Sequence, residues 1–268
     1  MKLVVAVFLS LLVIPALAME LRGQWQQGGV IIGKAPAGVQ IEYQGKKLHL
    51  SPQGEFVVGL GRDAKPKAIL VAINADGSRT ELAFSVKQRK YNIQKVTGVP
   101  QQTVDPDPAQ VERAKREAQM AADARKGDLP LTFFAQKFQW PLVGPITGVY
   151  GSQRIYNGVP NSPHYGVDIA KPVGTLVVAP AGGVVTLVHP DMFFSGGTLI
   201  IDHGHGLSST FIHLSEILVK QGDAITQGQT IAKVGKTGRA TGAHLDWRMN
   251  WFEERVDPQL LVDPMPAN

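Results

Sequence analysis

The sequence predicts a mainly β protein: an N-terminal immunoglobulin-like β-sandwich, a linker carrying one helix, and a C-terminal antiparallel β-sheet. Three observations predict it. Short alternating or β-branched runs separated by turn residues fill the first hundred positions, and similar runs return after Phe138. One stretch between the two regions is rich in helix formers. Glycine punctuates the second region so often that no long helical period survives there.

Taken in order, residues 1–18 read as a signal peptide. Lys2 supplies a positive start, Leu3 to Leu17 is almost wholly apolar, and Ala16-Leu17-Ala18 fits a small-residue cleavage site before Met19 or Glu20. The apolar run is shorter than the roughly 20 residues that a spanning helix needs, so cleavage is expected rather than anchoring. Residues 19–97 form the sandwich: strands are expected at Gly29 to Gly33, Val39 to Tyr43, Glu55 to Gly59, Ala68 to Asn74 and Leu82 to Val86. Gln44-Gly45 and Asp76-Gly77 supply turns. His49 alternates with apolar residues here and reads as a surface or packing residue without a partner.

Residues 98–137 are the linker. Pro100 to Pro108 is rich in Pro and Gln, Asp107 can cap a helix with Pro108 at its first position, and Gly127-Asp128 ends it. Arg113, Lys115, Arg116 and Arg125 are expected on a solvated face. Residues 138–260 hold the second β domain, with strands at Thr175 to Ala179, Gly183 to Val188, Thr198 to Asp202, Ser208 to His213, Ile231 to Val234 and Leu245 to Asn250; 261–268 are a tail.

The chain has no cysteine, which excludes disulfides, thiolate metal sites and a lipidated N-terminal cysteine. Its formal charge is +5, and losing Lys2 with the signal leaves 26 − 22 = +4. A basic exported protein suits an anionic envelope polymer. No aromatic-basic motif supports nucleic acid, and no later segment is long and apolar enough for membrane insertion.

Six of the seven histidines lie after residue 160. In Pro163-His164-Tyr165-Gly166-Val167-Asp168 a straight strand would hold His164 and Asp168 about 13 Å apart, at roughly 3.3 Å per residue. They share a metal only if the chain bends, and Gly166 would permit the bend. In His244-Leu245-Asp246 the two polar residues project to one side of a strand and Leu245 to the other. His213 ends the run Ser209-Thr210-Phe211-Ile212. A His with carboxylates can hold zinc, and nearby imidazoles can move a proton or stabilise an oxyanion. Hydrogen-bonded structural histidines would read the same way from spacing alone.

At these residues the sequence resembles the LytM/lysostaphin-type zinc endopeptidases, which carry His-x-x-x-Asp, a later His before Leu-Ser, and His-x-His. The resemblance runs from about Trp140 to Pro258 and includes Gly151-Ser152-Gln153-Arg154, Ile201-Asp202-His203-Gly204 and Thr237-Gly238. It implies a LytM-type peptidase domain in which His164 and Asp168 bind one zinc per chain, while His213 and His244 are catalytic. Asp246 stands where the family has its third zinc-binding His. Asp is an acceptable ligand, so Asp246 is expected to complete the site. Two carboxylates would make the zinc site formally neutral and the metal a weaker Lewis acid.

The resemblance implies hydrolysis of peptide cross-links in peptidoglycan by a soluble periplasmic enzyme, or, second, a secreted one. Asp246 keeps alive the alternative of a non-catalytic domain that binds peptidoglycan or activates another hydrolase. A carrier module is disfavoured by the lack of a Met-Lys-Met motif. His203 is expected to brace the site, His189 and His205 to be exposed loop residues, and Tyr156 and Tyr165 to pack. Arg154 is expected to engage a substrate carboxylate or fix a loop. Asp168→Ala and His213→Ala are each expected to abolish hydrolysis with the fold intact.

Overall fold

Alternation along Lys67–Ile73 fully buries Ala68, Leu70 and Ala72 and leaves the intervening side chains less covered, as a strand with one face on a core requires. The computed structural model describes residues 19–266, and the expected signal segment 1–18 lies outside them. Seven strands form two facing sheets. Glu20–Gly23, Val30–Lys34 and Glu55–Gly59 make one; Lys46–Lys47, Gln40–Tyr43, Lys67–Ile73 and Arg79–Ser85 make the other. The first, second and fifth strands share a sheet, which is an immunoglobulin-like hand-over. Gln44 (φ 50) and Gly45 (φ 76) both take positive φ, as a two-residue hairpin turn demands.

The next strand, Ile93–Val96, leaves the sandwich. It runs parallel to Gln153–Tyr156, which in turn pairs with Val159–Pro160. The helix Pro108–Ala124 then begins in a capping box: Asp107 accepts from the Gln110 N–H at 2.8 Å, and the Gln110 side chain accepts from Asp107 at 3.0 Å. Ala121 and Ala124 seat the helix on Leu187, Met192 and Ile200. Lys115 and Arg116 are exposed as expected, but Arg113 and Arg125 are half-buried. Arg113 is drawn inward by the Glu117 carboxylate at 2.6 Å and by the Asp191 carbonyl.

The second half is one large, mainly antiparallel sheet in the order Ala224–Ile225, Gly183–Met192, Gly196–Gly204, Leu207–Ile217, His244–Trp251, Gly166–Ala170, Ile146–Gly148. Leu199, Ile201, Phe211, Leu245 and Trp247 fill its core, and that core is continuous with the sandwich. Tyr43 and Trp251 meet at 5.9 Å between ring centres. Arg89 pairs with the buried Asp257 at 2.7 Å, and Arg62 donates to the Gly151 carbonyl at 2.9 Å. No helix among the described residues is long and apolar enough to cross a membrane.

Candidate metal centre

Three neighbouring strands set the site. In their register Asp168 lies opposite Asp246, and Asp246 lies opposite Ile212, the residue before His213. Two carboxylates facing each other across a sheet repel. The fold answers with cations. Arg154 donates to Asp168 Oδ2 at 2.6 Å, and Arg248 donates to Asp246 Oδ2 at 2.6 Å and, from Nε, to both oxygens at 3.1 Å. His164 sits between them, its Nε2 2.9 Å from Asp168 Oδ1 and 3.2 Å from Asp246 Oδ2.

The chain does bend between His164 and Asp168, but Gly166 serves a different purpose from the one expected. A Cβ at Gly166 would run into Asp246 Oδ1, and one at Gly148 would run into Asp168 Oδ2. Both glycines make room for carboxylates. Neither has a positive φ.

His164, Asp168 and Asp246 each offer a donor atom, all within 4.8 Å of one another, and all three residues are buried. The donor set suits a divalent metal. His164 Nδ1 lies 3.3 Å from the Val149 carbonyl, which can only accept, so Nδ1 carries a proton and Nε2 is the nitrogen that faces the carboxylates and that a metal would use. Asp168 Oδ1 is buried and has His164 Nε2 beside it at 2.9 Å. Burial opposes a charged His164, but the carboxylates of Asp246 and Asp168 outweigh it and hold its pKa above the ordinary value. Despite burial, Arg248 and His164 hold the Asp246 carboxyl well below the usual range.

His213 and His244 stand beside this cluster with ring centres 4.8 Å apart. His213 Nδ1 donates to the Thr237 carbonyl at 2.7 Å, and His244 Nδ1 to the Gly242 carbonyl at 2.9 Å. Both therefore leave Nε2 unused by the backbone, and that of His244 is 3.8 Å from Asp168 Oδ1. His213 holds a left-handed backbone (φ 64), a strained conformation for a residue with a Cβ. Burial pushes its pKa down to about 4. Leu245 is fully buried, as the two-residue period requires.

All five residues selected from sequence thus converge, and four of them line a cleft of about 200 Å³. The far wall comes from Gln94, Val96 and Val99, and no residue of the sandwich strands lines it. Two arginines escaped the sequence reading. Arg248 is two residues beyond Asp246 on the same strand face, so the period that placed Asp246 also places it. Arg239 follows Thr237-Gly238 and carried no readable signal. Arg154 fixes Asp168 rather than facing solvent. With Arg154 and Arg248 counted, the expected neutral metal site becomes one of charge +2, because each carboxylate is already shared with a guanidinium.

Other histidines differ in fate. His203 is fully buried and hydrogen-bonded at both nitrogens, to the Gly182 carbonyl at 2.6 Å and Ser209 Oγ at 2.8 Å, and burial lowers its pKa to about 4. His205 is not exposed as expected. It is 3 % exposed, stacked on His49 at 4.6 Å and against Phe134, because the sandwich covers its turn. His49 has partners after all, with Asp128 at 3.3 Å as the second. His189 is half-buried and accepts from the Asp191 N–H. Tyr165 packs edge-on to Tyr150, whereas Tyr156 borders the cleft.

Comparison with known proteins places the family of this chain. Residues 162–258 match the model of peptidase family M23. The chain is 41% identical over 90 residues to the peptidoglycan DD-endopeptidase ShyA of Vibrio cholerae, covering 33% of this chain and 20% of that protein. It is 36% identical over 103 residues to the DD-carboxypeptidase/endopeptidase Mpg of Neisseria meningitidis, covering 38% and 24%. The chain thus spans about a fifth to a quarter of the length of these curated relatives. The crystal structure of a candidate M23 peptidase from Pseudomonas aeruginosa superposes with a TM-score of 0.69 at 31% identity, over 89% of this chain and 95% of that one. With a relative of that identity matched along nearly its whole length, and the M23 signature region falling on the strands that carry the cluster, the chain belongs to peptidase family M23.

Proposed function

We propose that this protein is a zinc-dependent endopeptidase that hydrolyses peptide cross-links of bacterial peptidoglycan, exported to the periplasm. The observation that carries the reading is the convergence of His164, Asp168 and Asp246 within 4.8 Å of one another, with His213 and His244 alongside. The names of the curated relatives, DD-endopeptidase and DD-carboxypeptidase/endopeptidase, support the substrate class. The readable signal segment supports export.

His164, Asp168 and Asp246 would hold one zinc, which when bound supplies Lewis-acid activation of a water and of the scissile carbonyl. The chain supplies the rest. Arg154 and Arg248 fix the carboxylates, and the backbone carbonyls of Thr237 and Gly242 fix the tautomers of His213 and His244. Each of these imidazoles then presents Nε2, one to take a proton from the attacking water and the other, once protonated, to donate to the oxyanion. Burial keeps His213 neutral at working pH, as a proton acceptor must be.

The test is zinc content of the purified mature protein together with digestion of cross-linked peptidoglycan, wild type beside His213→Ala. One zinc per chain in both, with digestion lowered roughly 10²–10⁴-fold in the variant, is expected. One observation favours a second reading: Arg248 already engages both Asp246 oxygens, so the cluster is partly satisfied without a metal. Failure to take up zinc, with no digestion after zinc is supplied, would overturn the enzyme reading in favour of a non-catalytic domain that binds peptidoglycan or activates another hydrolase.

A further inference from the structure

Three arginines border the cleft, and one of them has no acid of its own. Arg154 is spent on Asp168 and Arg248 on Asp246. Arg239 is half-buried, and among the described residues its guanidinium makes one hydrogen bond, from Nη1 to the Thr103 carbonyl at 3.2 Å. Its carbon lies 4.6 Å from the ring centres of both Tyr156 and Phe194. One of its five N–H donors is thus used among the described residues, which leaves the others to bond a ligand. A partly desolvated cation beside two other guanidiniums is costly to leave unpaired, and Arg248 and Arg154 add to burial in pushing its pKa down. An anion in the cleft would relieve it. A planar fork of N–H donors fits a carboxylate in two-point fashion.

We propose that Arg239 is a specificity residue that receives the free α-carboxylate of the substrate residue supplying the scissile nitrogen. The cleft of about 200 Å³ holds Arg239 together with His213 and His244, so an anion bound there lies next to the bond being cut. The carboxyl of the acyl-side residue is the scissile carbonyl itself. An α-carboxylate adjacent to the bond therefore belongs to the amine side. The enzyme is thereby matched to bonds whose released amine carries a free acid, whether at a chain end or within a cross-link. This rests on the reading of the cleft as a peptidase site.

The experiment uses zinc-loaded full-length protein and paired cross-linked muropeptides whose amine-side α-carboxyl is free or amidated. Wild type is expected to favour the free acid at least tenfold in kcat/KM. Arg239→Gln should collapse that ratio toward one, chiefly through KM, Arg239→Lys should restore part of it, and zinc content should match wild type in both. As a check independent of any variant's folding, acetyl-D-alanine should inhibit the wild type and its amide should not. Equal rates on acid and amide by wild type, or an unchanged ratio in Arg239→Gln, would overturn the proposal alone. Cleavage of neither muropeptide by zinc-loaded wild type would overturn the peptidase reading beneath it.

Discussion

In the proposed site Asp168 has two roles at once: one oxygen would go to the metal while the other holds Arg154. That double duty changes what its mutants report. Asp168→Ala leaves the Arg154 guanidinium buried and unpaired, so about 3 kcal/mol of stability should be lost from the metal-free protein. Urea unfolding of the apo variant measures it; an unchanged midpoint would mean that Arg154 finds another partner. The variant would keep its fold with a smaller margin, and His213→Ala is the cleaner test of chemistry. At this scale the sequence was informative wherever a short period applied. His244, Leu245 and Asp246 fell on the predicted faces because strands alternate, and one further step of the same period reaches Arg248. Arg239 was illegible because its meaning lies in Tyr156 and Phe194, which approach it from distant parts of the chain.

At the scale of elements, the helix Pro108–Ala124 braces the cleft from behind. Glu117 is buried, holds Arg113, and accepts from the Phe193 N–H at 2.7 Å, which ties the helix to the loop that carries Phe194 and Ser195. Glu117→Ala should cost roughly 2 kcal/mol, since a charge-assisted acceptor is lost. Asp107→Ala, at the exposed helix start, should cost no more than about 1 kcal/mol. Amide exchange at residues 193–195 should quicken in the first variant and not in the second; equal exchange in both would show that the helix does not brace the loop. The helix was legible from its Asp-Pro start because capping is local. The pairing of Ile93–Val96 with Gln153–Tyr156 was not, because nothing in either four-residue run announces a partner about sixty residues away in sequence.

Over the whole molecule, two adjacent buried groups pull acid stability in opposite directions. Burial raises the Asp202 carboxyl to about 6 and lowers His203 to about 4. His203 must be neutral in the fold, so its contribution is lost as pH falls from its ordinary value toward 4. Asp202 is charged at a cost at pH 7, and that cost is relieved as pH falls through 6. Asp202→Asn keeps the side-chain oxygen for the Gly204 N–H while removing the charge. It should be more stable than wild type at pH 7 by up to about 3 kcal/mol, converging with it near pH 4. Thermal melts across that range decide it: parallel curves would show that Asp202 is not perturbed.

The parallel pair that escaped prediction has a mechanical side. The sandwich is joined to the second half by shared core and by Arg89–Asp257, and the connection 86–92 leads from its last strand into Ile93–Val96, the strand that walls the cleft. Tension applied to the front of the protein, as when one end is held by a polymer mesh, runs along that strand as shear across a hydrogen-bonded ladder. It reaches Gln153–Tyr156, and through Arg154 the carboxylate of Asp168.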